Sequence, residues 1–75
     1  MDIKQLVTEA KRLIPDCYDD AHNWLDDIKE TIQFVERPEQ ALRYFMMGMF
    51  LSGVITIVQL EAFEGLSSGM SKALH

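Results

Sequence analysis

Between positions 16 and 27 the chain gathers Asp16, Asp19, Asp20, His22, Asp26 and Asp27, all residue types that ligate metals. Carboxylates and imidazoles hold a cation only where they converge on one point. Helical spacing instead turns the acids outward along a ridge and leaves His22 at its margin. No calcium-loop glycine and no second nearby histidine accompanies them. For nucleophilic catalysis the one pairing on offer is Cys17 with His22. Cys17 falls on the apolar stripe of the same helix and His22 off it, so Cys17 reads as a small core residue. A short all-helical chain also leaves little room for a substrate cavity of ~300 Å³ or more. No enzymatic activity, metal or cofactor is expected.

Met46, Met47 and Met49 are soft ligands that suit copper(I), but no cysteine or histidine joins them, so core filling is expected for Met46 and Met49. Met47 lies on the polar side of its helix and is expected at the surface. The acids have a different significance. Residues 16–30 hold six acids against one base, Lys29, so this segment carries the whole net charge of −5. Asp19, Asp20, Asp26, Asp27 and Glu30 form a candidate partner-binding ridge that would steer a basic protein surface. Carboxylates one helical turn apart are ~6 Å apart along the axis, which also makes a nucleic-acid mimic conceivable. A solvated face is the plainer alternative.

These residues are positioned by helices. Ile3, Leu6, Val7, Ala10, Leu13 and Ile14 recur at helical spacing, Asp2 and Gln5 fit a capping pair, and Pro15 ends the segment. Cys17, Ala21, Trp24, Leu25, Ile28, Ile32 and Val35 make an apolar stripe over a second helix. Pro38 suits the first position of a third, with Glu39 favouring the positive end of its dipole. Leu42, Phe45, Met46, Met49 and Phe50 form one apolar stripe there, and Ala41, Tyr44, Gly48 and Leu51 a second. A helix this apolar must be covered on more than one side. The spacing predicts an all-α fold of four helices, at about 3–14, 16–36, 38–52 and 57–73, packed as one domain around the third. The expected core is Leu6, Ala10, Leu13, Trp24, Leu25, Ile28, Ile32, Leu42, Phe45, Met49, Leu60 and Phe63.

Positions 44–60 are 17 consecutive residues without a charge, between Arg43 and Glu61. Unbroken, this run is a short single-pass membrane span. Local signals divide it instead. Gly53 suits the left-handed conformation that ends a helix, Thr56 and Gln59 form a capping-box pattern, and Ile55 with Leu60 fits a hydrophobic staple. The span also lacks flanking basic clusters and aromatic belts. A soluble core is therefore expected, with the 44–60 span as the alternative.

A chain of 75 residues buries only about 60% of the surface its unfolded form exposes, and small domains usually add a disulfide, a metal or self-association. Cys17 is the only cysteine, which excludes an internal disulfide, and the charged N-terminus shows no signal-peptide pattern. A cytoplasmic homodimer is expected, through Tyr44, Met47, Leu51, Val58 and Met70. The helix–turn–helix at 38–66 does not suit DNA, because its second helix carries Glu61 and Glu64 and no base in its first turns. A helix, a Gly-Val-Ile-Thr turn and an acidic helix resemble, in style, short bacterial and phage proteins. The expected function is a small acidic protein-binding regulator, an inhibitor or adaptor, using the apolar helix 3/helix 4 surface and the acidic face of helix 2.

Overall fold

The computed structural model describes residues 2–73, and for residues 70–73 the backbone alone. Four helices follow one another: α1 (Ile3–Leu13), α2 (Asp19–Lys29), α3 (Pro38–Leu51) and α4 (Ile57–Ala73), with a single 3₁₀ turn at Ile32–Phe34 between α2 and α3. The fold is an all-α bundle, as the periodicity implies. The second helix is shorter than the expected 16–36. Residues 15–18 form a turn closed by the Tyr18 amide on the Pro15 carbonyl at 3.1 Å. After Lys29 the chain tightens, the Thr31 amide bonding the Ile28 carbonyl at 3.0 Å, and the α-helical register is lost. A continuous stripe over 17–35 therefore does not exist.

Each remaining boundary has a visible cause. Asp2 and Gln5 form a reciprocal capping box at the start of α1. Pro38 occupies the first turn of α3 with Glu39 beside it. At the end of α3, Gly53 has φ +80°, the Val54 amide bonds the Met49 carbonyl at 2.9 Å, and the Gly53 amide bonds the Phe50 carbonyl at 3.0 Å. This is the paired geometry of a Schellman stop, which requires a left-handed residue. Thr56 and Gln59 then cap α4 reciprocally, at 2.8 and 3.2 Å, while Ile55 and Leu60 are both buried beside the cap. The 17-residue uncharged run is thereby cut in two, and no helix among the described residues is long and apolar enough to cross a membrane. The stretch over 44–60, read in the alternative as one span, is therefore two helices joined by a turn.

The core comprises Leu6, Val7, Ala10, Ile14, Leu25, Ile32, Leu42, Met46, Ile55, Leu60 and Phe63. Leu13, Ile28, Phe45 and Met49, expected at its centre, are half-buried against it. Trp24 is the clear departure, at 45% exposed. Its indole lies flat on Phe45, with centroids 4.4 Å apart and planes 16° apart. α1, α4 and the 3₁₀ turn pack on α3, and α1 meets every other element.

The end of α1 is tied to two other helices. The Gln59 side-chain amide, besides its capping role, donates to the Leu13 carbonyl at 3.1 Å. The His22 imidazole Nε2–H donates to the Ile14 carbonyl at 2.9 Å and the Pro15 carbonyl at 3.2 Å. Helix-terminal carbonyls lack intrahelical donors, and these side chains supply them.

The two capping boxes should respond unequally to the same substitution. Gln59→Glu keeps the acceptor that caps Thr56 but loses the donor to Leu13, leaving two oxygens face to face. It should lower the unfolding free energy by ~1–3 kcal/mol. Gln5→Glu, whose amide nitrogen has no such partner among the described residues, should change it by no more than ~0.5 kcal/mol. Urea unfolding of both variants checks this, and equal effects would remove the special role of Gln59. Gly53→Ala meets no neighbouring atom, so its expected cost of ~1–2 kcal/mol is purely that of a left-handed backbone.

Candidate functional site

α1 and α2 run antiparallel, and polar contacts close one side of their seam. Lys4 pairs with Glu30 at 3.5 Å, Lys29 donates to Thr8 Oγ1 at 3.0 Å, and Lys11 grips both oxygens of Asp26 at 2.8 and 2.9 Å. The acidic ridge is consequently divided. Asp26 and Glu30 face lysines of α1, whereas no ion pair engages Asp19, Asp20 or Asp27 among the described residues. The sequence pattern along α2 could not disclose this division, because the lysines that cause it lie on another helix. The Lys11 ammonium, hydrogen-bonded to Asp26, holds that carboxyl below the usual carboxylate range. Desolvation opposes this, and the charges of Lys29 and His22 add lesser contributions in the lowering direction.

The second set of site residues is apolar and open. Tyr44, Met47 and Leu51 stand one turn apart on α3, on the side away from buried Leu42 and Met46. They are 63%, 40% and 76% exposed, and Val58 at the start of α4 is 70% exposed. The Met70 side chain lies outside the described residues. Ile57, adjacent to Val58, is also half open, and so enlarges the apolar surface beyond the residues expected from sequence. Its place at the first position of α4 turns it off the buried stripe of Leu60 and Phe63. Arg43 and Glu64 approach to 3.9 Å across the α3–α4 pair.

A third feature was not foreseen. On the opposite flank of α3 an open groove of about 580 Å³ lies between α2 and the α3–α4 turn. Trp24 and Phe45 form one apolar wall, Met49 and Val54 another, and Tyr18, Asp19 and Asp20 stand at the start of α2. Its size overturns the expectation that so short a helical chain leaves little room for a cavity. The Schellman turn builds part of it, because that turn brings Val54 back toward Met49, one of its characteristic apolar pairs. Cys17 also lines the groove and is exposed, contrary to its expected place in the core. The reason is local: residue 17 precedes α2, so the helical stripe that assigned it inward does not extend that far. The sequence signal for the groove was Trp24 itself, an aromatic at the edge of its stripe next to Asp20 and Asp27.

Chemistry at these positions is limited by the existing contacts. His22 spends Nε2 on two backbone carbonyls, and no group of three potential metal ligands converges among the described residues.

The Asp26 contact predicts an acid-side signature. Its folded-state carboxyl titrates below the unfolded one, so its contribution is present above the usual carboxylate range and is lost as pH falls through the folded value. Asp26→Asn should therefore flatten the loss of stability between about pH 5 and pH 2 relative to the parent chain. Superimposable pH profiles in urea unfolding would show that the pair adds nothing. Compared with known protein families, curated proteins and solved structures, the chain matches none of them.

Proposed function

We propose that this chain is a non-enzymatic protein-binding regulator, an inhibitor or adaptor, that self-associates through α3 and α4. The observation that carries this reading is the exposure of Tyr44, Met47, Leu51 and Val58 on adjoining helices. Single exposed apolar residues are ordinary, but grouped ones mark interaction surfaces. α3 buries one of its apolar stripes inside the bundle and leaves the other in water. A two-fold dimer would bring that stripe against its own copy, which suits a self-complementary apolar patch. The acids of α2 lie on another side of the molecule, so Asp19, Asp20 and Asp27 remain available to attract a basic partner while α3 and α4 are covered. An exposed lone thiol at Cys17 suits a reducing compartment such as the cytosol.

Sedimentation at tens of micromolar should give twice the monomer mass for the parent chain. Leu51→Asp should weaken the dimer at least tenfold while leaving the circular dichroism spectrum helical, because it places a charge in the apolar seam. A parent chain that sediments as a monomer, with Leu51→Asp indistinguishable from it, would refute self-association. Partners captured from the native host by the parent chain but not by a Tyr44→Asp/Leu51→Asp variant would identify the regulated protein. Equal capture by both would assign binding to a different surface.

A further inference from the structure

We propose that the groove between α2 and the α3–α4 turn is a docking site for a protein segment carrying an apolar side chain next to a lysine or arginine. Its walls and its rim make different demands. Trp24, Phe45, Met49 and Val54 supply an apolar surface, and the two rings are already stacked, so little ordering remains to be done when an apolar group enters. Trp24 is 45% exposed although it is the largest apolar side chain in the molecule, and half-open tryptophans are the usual anchors of protein interfaces. Methionine adapts its shape to whatever enters.

The rim selects the sign of the ligand. Asp19 and Asp20 line the groove, and among the described residues no ion pair engages either and no lysine, arginine or histidine lines it. Both carboxylates also serve the N-terminus of α2, whose dipole is equivalent to about +0.5 charge. Two full negative charges exceed that, so the mouth of the groove remains net negative. A cation beside an exposed indole gains a further attraction to the ring face. An anionic or purely apolar occupant would leave these features unused. The groove is open to solvent, which suits a segment of another protein, and its volume of about 580 Å³ accepts several side chains. This inference rests on the protein-binding reading only in taking a protein segment as the occupant. The surface is separate from the α3/α4 seam.

Trp24 is the only tryptophan of the chain, so its emission reports on the groove alone. The probe is an amidated eight-residue peptide alternating leucine and arginine, with leucine–glutamate and leucine–serine peptides as comparisons. The leucine–arginine peptide should shift the emission saturably, and the other two should not. Asp19→Asn/Asp20→Asn should weaken it about five- to tenfold, whereas Glu36→Gln/Glu61→Gln, with the same change in net charge away from the groove, should leave it unchanged. Val54→Lys, on the wall outside α2, should weaken it without touching the α2 N-terminus, which keeps the test valid if the double variant loses helicity. Equal weakening by both charge-removing pairs would reduce the effect to diffuse attraction and overturn the proposal. So would equal binding of the leucine–glutamate peptide, or an equal response to phenethylamine at the same concentration. Binding that persists in Leu51→Asp separates this groove from self-association, and failure of either one leaves the other standing.

Discussion

The carbonyl oxygens of Leu13 and Ile14 emerge at the end of α1 beside the other helices of the bundle, where a missing donor would cost most. Pro15 forces that ending, because the residue before a proline leaves the helical region. Gln59 of α4 and His22 of α2 supply the donors. The two contacts fix the start of α4 and the first turns of α2 against one point. With Leu6, Val7, Ala10 and Ile14 buried along its length, α1 becomes the strut that every other element meets. No buried side-chain polar atom among the described residues is left without a partner.

Tying α2 to α1 has a consequence for the surface. Antiparallel packing lays Lys4 and Lys11 along the flank of α2, where they claim Glu30 and Asp26. Asp19, Asp20 and Asp27 are left without an ion pair among the described residues, and Asp19 and Asp20 line the groove together with Trp24. Exposed carboxylates gain little from one another, but beside apolar walls they give a docking surface both an anchor and a preferred sign.

α3 is the opposite case. It is apolar around most of its circumference, yet α1, α4 and the 3₁₀ turn cover only part of it, since a chain this short cannot surround a central helix. One flank receives Trp24 from α2 and opens into the groove. The other presents Tyr44, Met47 and Leu51 to water. The same shortage of chain accounts for both surfaces, and both become useful only if something else supplies the missing layer.

Much of the fold was legible along the sequence because its signals are local. Asp2–Gln5 and Thr56–Gln59 cap helices through side chains three residues away, Pro15 and Pro38 set boundaries through fixed backbone geometry, and Gly53 takes the one conformation that other residues avoid. Exposure of Met47 and burial of Met46 followed from helical spacing alone. The misread positions have other causes. Cys17 and Val35 were assigned inward by extending one stripe across a helix that in fact begins at Asp19 and ends at Lys29. The hydrogen bonds that stop it there are closed by turns, which carry no periodic signal. Trp24, within that helix, instead stacks one face on Phe45 and stays half open. The 3₁₀ turn keeps Ile32 buried while Phe34, 81% exposed, and Val35 face solvent. Which acids are paired, and that a groove exists at all, depended on where α1 and the α3–α4 turn come to rest against α2. Those are distances between residues far apart in sequence, so local chemistry determined the helices, and only their packing decided which surfaces they left open.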